Sequence, residues 1–306
     1  MSIMLALRLP ALLAAWLLLL AGQALAASPL LHIEELKQQV SPGSPTTYAD
    51  LLKLIFPEPA PGQKEKPQTP PVRQINGYFK EQPLTVKQAS GEEVLALPIK
   101  AQGQTLLLLL VAATGEKAEE EGDAREQHFD LLALFQTTPA PKLLDLVDIG
   151  QVITMGMMDG FWTRNPLLDL TPTTQACMIY QEHFHPSESF LQIHLLWVRK
   201  QRLQKVLGVA PYGVKALCKS FATGTVFWTE PDKGREFPKV VAKLTLKMEP
   251  SPKIEDCDKQ RQRGFTRSYR GVWRWDPAKQ KYGRTGGNLD KLYKFYDNDF
   301  KLYDND

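Results

Sequence analysis

Three cysteines and five histidines among 306 residues leave little material for a thiolate or imidazole metal centre. The chain has no Gly-x-Ser-x-Gly elbow, no His-Glu-x-x-His pair, no Ser-x-x-Lys and no glycine-rich phosphate loop. The familiar local arrangements for acyl transfer, metallohydrolysis and nucleotide chemistry are therefore missing. Charge of one sign is also missing: 37 basic against 34 acidic residues give a formal +3. That balance lacks the electrostatic footprint of a nucleic-acid binder, and no such partner is expected. Long apolar runs are absent beyond the first 26 residues. Leu106–Val111 has only the length of a strand, so no transmembrane segment is expected in the mature chain. No repeat of 30 to 45 residues with a recognisable consensus emerges, so no propeller or solenoid is expected. No cofactor is expected.

What is present begins with a leader. Arg8 is the sole charge before an apolar stretch from Leu9 to Ala21, and Ala24-Leu25-Ala26 follows with the small-x-small pattern of a cleavage site. Residues 1–26 read as a bacterial export signal, and the absence of a following cysteine argues against a lipid anchor. The mature chain of about 280 residues then carries a charge of +2, because Arg8 is lost, and is placed in the periplasm or outside the cell.

In that oxidising setting three cysteines suggest one disulfide and one remaining thiol. Lys239–Met248 alternates, with Val240, Ala242, Leu244, Leu246 and Met248 apolar. That is a strand with one buried and one wet face. Thr223–Thr229 is β-branched and aromatic, and Pro231, Asp232 and Gly234 between the two runs supply turn chemistry. The resulting hairpin has Cys218 before it and Cys257 after it. Centred near Asp232–Gly234, it sets Cys218 opposite about Glu249, and a Cys218–Cys257 disulfide is expected. Closing about 40 residues contributes roughly 4 kcal/mol in the chain-entropy picture. Cys177, in a strand-like context, is expected to be a buried inert thiol.

The remaining chain reads as follows. Residues 28–56 form a short helical N-terminal segment, serving as a cap or a tethered arm. Residues 57–71, with six prolines, form a linker. Residues 72–165 are a first β-rich region, with strands expected at 73–80, 84–88, 93–101, 105–113, 128–137 and 142–149. Gly115–Gln127 reads as an exposed acidic loop. Residues 166–306 are a second β-rich region, with strands at 176–183, 190–198, 203–209, 223–229, 239–248 and 265–275. Asn288 is a suitable N-cap for a terminal helix whose stripe is Leu289, Leu292, Tyr293 and Tyr296. The fold class expected is mainly β, antiparallel hairpins and meanders, with short N-terminal helices and a short C-terminal helix.

Three constellations are candidates for function. His183 and His185 share one side of an extended segment, a spacing that suits zinc. His194 falls opposite about Ile179 in a hairpin around 184–189, roughly 13 Å along the strand from His183 and out of reach. Glu182 and Glu188 are candidate paired carboxylates of a hydrolase. In the basic, aromatic stretch 259–284, Arg270, Trp273, Arg274 and Trp275 form a possible ligand surface. The same alternation equally describes an aromatic core face backed by an arginine face in water. The functional expectation is a non-catalytic binding or structural component of the cell envelope, with an unidentified envelope or extracellular partner. The alternative is a secreted hydrolase or glycan-binding protein using carboxylates and the Trp273/Trp275 region.

Overall fold

The structure, a computed structural model, describes residues 30–58, 69–75, 85–88, 94–116, 126–150, 166–185, 188–215, 218, 220–253, 257 and 262–300. It is mainly β, with two sheets and two short α-helices among the described residues.

The first sheet contains β1 (Leu30–Leu31), β2 (Arg73–Gln74), β3 (Thr85–Gln88), β4 (Val94–Ala101), β5 (Gln104–Glu116), β6 (Glu126–Gln136) and β7 (Lys142–Asp148). Its order is β1-β4-β5-β6-β7-β2, with β3 paired to the far end of β5. Only β2 runs parallel to its neighbour, β7. Its centre, β5, is apolar along Leu106–Ala113 because both of its faces are covered. Leu106, Leu108, Leu110 and Ala112 point into one core, while Leu107, Leu109, Val111 and Ala113 point into another. A strand buried on both faces reads as a continuous apolar run.

One cover is the N-terminal segment. A 3-10 turn (Ile33–Lys37) precedes α1 (Tyr48–Ile55). Thr47 and Asp50 cap α1 reciprocally: the Asp50 N–H donates to Thr47 Oγ1 at 3.2 Å, and the Thr47 N–H donates to the Asp50 carboxylate at 3.0 Å. Leu51, Leu52 and Ile55 then bury against Phe129, Leu131 and Phe135. The segment is a docked cap rather than a tethered arm, and β1 joins it to the sheet through β4.

The second sheet contains β8 (Leu167–Thr171), β9 (Thr174–His185), β10 (Glu188–Arg199), β11 (Arg202–Val209), β12 (Tyr212–Lys215), β13 (Ser220–Glu230), β14 (Lys239–Glu249), β15 (Phe265–Asp276) and β16 (Lys281–Gly287). The long strand β10 divides it. Its start, Glu188–Phe190, pairs with β12, whereas Ile193–Arg199 pairs with β11. The sheet therefore forms two leaves, β8–β11 and β12–β16, which fold over a common core. The β8–β11 leaf is the middle layer of the molecule. Cys177, Ile179, Leu196 and Val198 face the first sheet, while Ala176, Met178, Leu195 and Trp197 face the other leaf. A bulge between Leu195 and Leu196 turns both Val206 and Leu207 toward the second core.

The strands expected from the sequence have counterparts among the described residues, although that expected at 73–80 is seen only as β2, and residues 76–80 lie outside the described set. β1, β8, β12 and β16 were not expected. They are short or glycine-rich and carry little periodic signal. β5 and β6 also extend into the stretch read as an acidic loop, whose remaining residues 117–125 lie outside the described set.

The helix α2 (Leu289–Phe300) closes the second core with Leu289, Leu292 and Tyr296. Asn288 precedes it, yet its side chain serves the sheet: the Arg270 N–H donates to Asn288 Oδ1 at 2.7 Å. Gly271 makes this docking possible. A Cβ there would lie 2.2 Å from the Trp273 ring and 2.6 Å from Leu289 Cδ1. No helix among the described residues is long and apolar enough to cross a membrane.

Candidate functional site

The Cys218–Cys257 disulfide closes a 39-residue separation around the β13–β14 hairpin. The register differs from the expected one by two residues: Ser220, not Cys218, lies opposite Glu249, because Glu230 pairs with Lys239 and the turn is centred further along the chain. Ser251 completes the closure. Its hydroxyl donates to the Cys218 carbonyl at 2.6 Å and accepts the Gln262 N–H at 2.9 Å, so the chain doubles back past Cys257 into β15. Cys177 is fully buried, and burial pushes its thiol up to about 12, which keeps it protonated and unreactive.

The histidine pair sits at the β9–β10 turn, where His183 pairs with Phe190 and His185 with Glu188. The side chains of His183, His185, Glu182 and Glu188 lie outside the described set. Among the described residues no group of three or more His, Cys, Asp or Glu is placed to hold a metal ion. His194 lies opposite Ile179 on one side and Gly208 on the other, 3 % exposed, with both ring nitrogens lacking a hydrogen-bond partner. Burial, reinforced by the nearby Lys205 charge, lowers its pKa to about 4. It is a neutral core imidazole.

Three buried carboxylates belong to the first sheet, Asp130 on β6 and Asp145 and Asp148 on β7. Asp145 accepts a bidentate ion pair from Arg73, and the Leu203 N–H donates to Asp145 Oδ2 at 2.8 Å, which ties the first sheet to β11. Arg73 also donates to the Leu203 carbonyl at 2.8 Å. Asp148 accepts the Gly150 N–H at 2.8 Å, and burial raises its pKa despite that bond. All three lie buried within the packing of the first sheet.

β15 separates the four residues of its candidate ligand surface. Trp273 and Trp275 are 5 % and 8 % exposed and belong to the second core. Trp275 stacks on Trp197 with ring centroids 4.7 Å apart. Arg270 and Arg274 stand on the opposite face, toward solvent, so the tryptophans do not share a surface with them. Arg274 reaches Asp232 in the hairpin turn at 3.3 Å.

That outer face carries a groove of about 290 Å³, lined by Trp228, Lys243, Ser268, Tyr269, Arg270 and Asn288. Antiparallel register brings these residues together: Val226 lies opposite Lys243, Lys243 opposite Arg270, Trp228 opposite Val241, and Thr245 opposite Ser268. Glu230 organises one end. Its Oε1 accepts Trp228 Nε1–H at 3.1 Å and an Arg270 guanidinium N–H at 2.7 Å, and these two bonds hold the Glu230 carboxyl below the usual range. Indole and guanidinium are thereby fixed side by side. Val226, 63 % exposed, extends the face, and Val241 is buried within it although alternation assigns it to the wet side. Trp228, Lys243, Ser268 and Asn288 escaped the sequence reading. The signal for them was the hairpin register, which converts alternating strands into transverse rows.

No family model, no curated protein and no solved structure matches this chain.

Proposed function

We propose that this is an exported bacterial protein that binds another component of the cell envelope without transforming it. The observation that carries the reading is the groove on β13–β15. Its polar lining offers hydrogen-bond donors from Lys243, Ser268, Arg270 and Asn288, beside one indole ring. The Glu230 carboxylate at one end is engaged by two of the lining residues, Trp228 and Arg270. Oriented donors around an apolar ring hold a ligand; general acid–base or nucleophilic chemistry needs a proton acceptor or nucleophile poised beside it. The export pattern of residues 1–26 and the Cys218–Cys257 disulfide support a destination outside the cytoplasm.

Fractionation of expressing cells tests this directly. The expected product starts at Ala27, is released with the periplasmic or culture fraction, and yields a linked Cys218–Cys257 peptide pair under non-reducing digestion. A full-length cytoplasmic product with three free thiols would overturn the reading.

A further inference from the structure

We propose that the groove on the outer face of β13–β15 is a subsite for an acidic sugar, a hexuronate unit of an anionic polysaccharide. This rests on the binding role proposed above and gives that role a ligand class. Four observations converge. First, every polar side chain in the lining named above, Lys243, Ser268, Arg270 and Asn288, can donate. Asn288 Oδ1 already accepts the Arg270 N–H, which leaves the amide NH₂ as the outward group. Arg270 spends one guanidinium nitrogen on Glu230 and keeps further N–H groups. A donor-lined site calls for a ligand rich in acceptors.

Second, two cations stand directly opposite each other across β14 and β15, Lys243 and Arg270. Among the described residues the Lys243 ammonium makes no ion pair or side-chain hydrogen bond. Its charge therefore awaits an anion, and a carboxylate suits the planar guanidinium beside it. Third, the Trp228 ring is tethered through Nε1 to Glu230, so it offers a pre-oriented apolar surface at little entropic cost. Apolar ring face plus carboxylate plus hydroxyls describes a uronic acid. Fourth, the volume of about 290 Å³ sits at the small end of the roughly 300–1,000 Å³ that ligand sites occupy, which suits one or two sugar rings. Glu230 and Glu249 lie at opposite ends of the β13–β14 pair and interrupt the positive charge, which disfavours a broad anionic membrane as the occupant.

The test uses the exported chain, Ala27 onward, with alginate oligomers as the acidic probe. Dextran is the neutral control and phosphatidylglycerol vesicles are the anionic-surface control. Binding is read by affinity electrophoresis and tryptophan fluorescence. Expected are retardation by alginate alone, a loss of affinity of at least fivefold in Lys243→Gln and a similar loss in Arg270→Gln. Trp228→Ala should lose about tenfold. Lys243 is solvent-exposed, so Lys243→Gln should keep the wild-type melting temperature and isolates binding from folding. No retardation by alginate, unchanged binding in Lys243→Gln, or equal binding to the vesicles would each overturn the proposal. A protein correctly exported and disulfide-bonded that ignores alginate sinks the sugar-acid assignment alone, whereas a cytoplasmic protein sinks the exported role.

Discussion

β5 and β14 are both central strands, and they are written in different alphabets. β5 is apolar at every position from Leu106 to Ala113, because a helical cap covers one face and the middle leaf covers the other. β14 alternates: Val240, Ala242, Leu244, Leu246 and Met248 enter the second core, while Lys243, Thr245 and Lys247 face water. The period of the pattern thus reports how many layers lie on a strand. The doubly covered layers are the first sheet and the middle leaf, and the open face lies on the last strands of the second sheet. A binding surface fits the region where one face is left uncovered.

The sharpest way to break this comparison is to truncate one buried side chain of the covered region and one exposed side chain of the open face. Phe135 is fully buried in the first sheet against the cap. Phe135→Ala should destabilise the chain by about 3–5 kcal/mol through lost transfer energy and a residual cavity. Val226→Ala, on the open face, should stay within about 0.5 kcal/mol. Urea unfolding of both variants measures the contrast, and comparable losses would show that the outer face is covered in solution.

Nearly as large is the effect of the disulfide, which braces only the open region. In a Cys218→Ser, Cys257→Ser double variant the loss should be about 2–4 kcal/mol, because the unfolded chain regains loop freedom. Secondary structure should persist in far-ultraviolet circular dichroism, since the β13–β14 ladder does not depend on the crosslink. An equal melting temperature for the oxidised wild type and this variant would contradict the assignment.

The covered region carries a buried imidazole whose protonation opposes folding. His194 is held neutral, with a pKa near 4 in the folded chain against an ordinary value near 6.5. The unfolded chain takes up its proton first as pH falls. Its contribution to stability therefore stays constant above about pH 6.5, declines between 6.5 and 4, and levels off below, with a total loss of about 3 kcal/mol. Asp148, whose pKa is raised, acts in the opposite sense, so the clean measurement is the difference between wild type and His194→Leu at pH 7.5, 5.5 and 4.5. A wild-type profile that falls no more steeply than that of His194→Leu would show that the imidazole does not carry this dependence.

Much of this was legible in the residues themselves. Alternation in 239–248 and the double-sided run at 106–113 specify strands, and the spacing of Leu289, Leu292 and Tyr296 specifies the closing helix, because burial imposes those periods. The position of His194 opposite Ile179 also followed from hairpin geometry. The groove was not legible, since Trp228, Lys243 and Asn288 come from three elements and meet only through register. Trp273 and Trp275, by contrast, were legible: the alternation describes an aromatic core face backed by an arginine face, and the structure places both rings in the second core, which removes them from a ligand surface shared with Arg270 and Arg274. The two-residue error at Cys218 arose because an eight-residue turn leaves its centre unspecified.

The smallest effect expected is a gain, at the β10–β11 turn of the covered region. Arg199 pairs with Arg202, so Lys200 and Gln201 form a two-residue connection, and their φ angles are +49° and +59°. Both residues occupy the left-handed region, the signature of a type I′ turn, where Asn-Gly is strongly preferred and side chains such as lysine and glutamine are strained. By contrast, the β4–β5 turn, Gln102-Gly103, already has glycine at its second position, with φ of +82°. Replacing Lys200-Gln201 by Asn-Gly should therefore stabilise the protein by roughly 0.5–1 kcal/mol. The extra chain freedom of glycine in the unfolded state offsets part of the relieved strain. Because neither side chain is buried, no packing changes, and alginate binding at the distant groove should be unaffected. Thermal unfolding decides the matter: an increase of a few degrees is expected, and a decrease would mean that Lys200 or Gln201 makes a stabilising contact that outweighs the backbone strain.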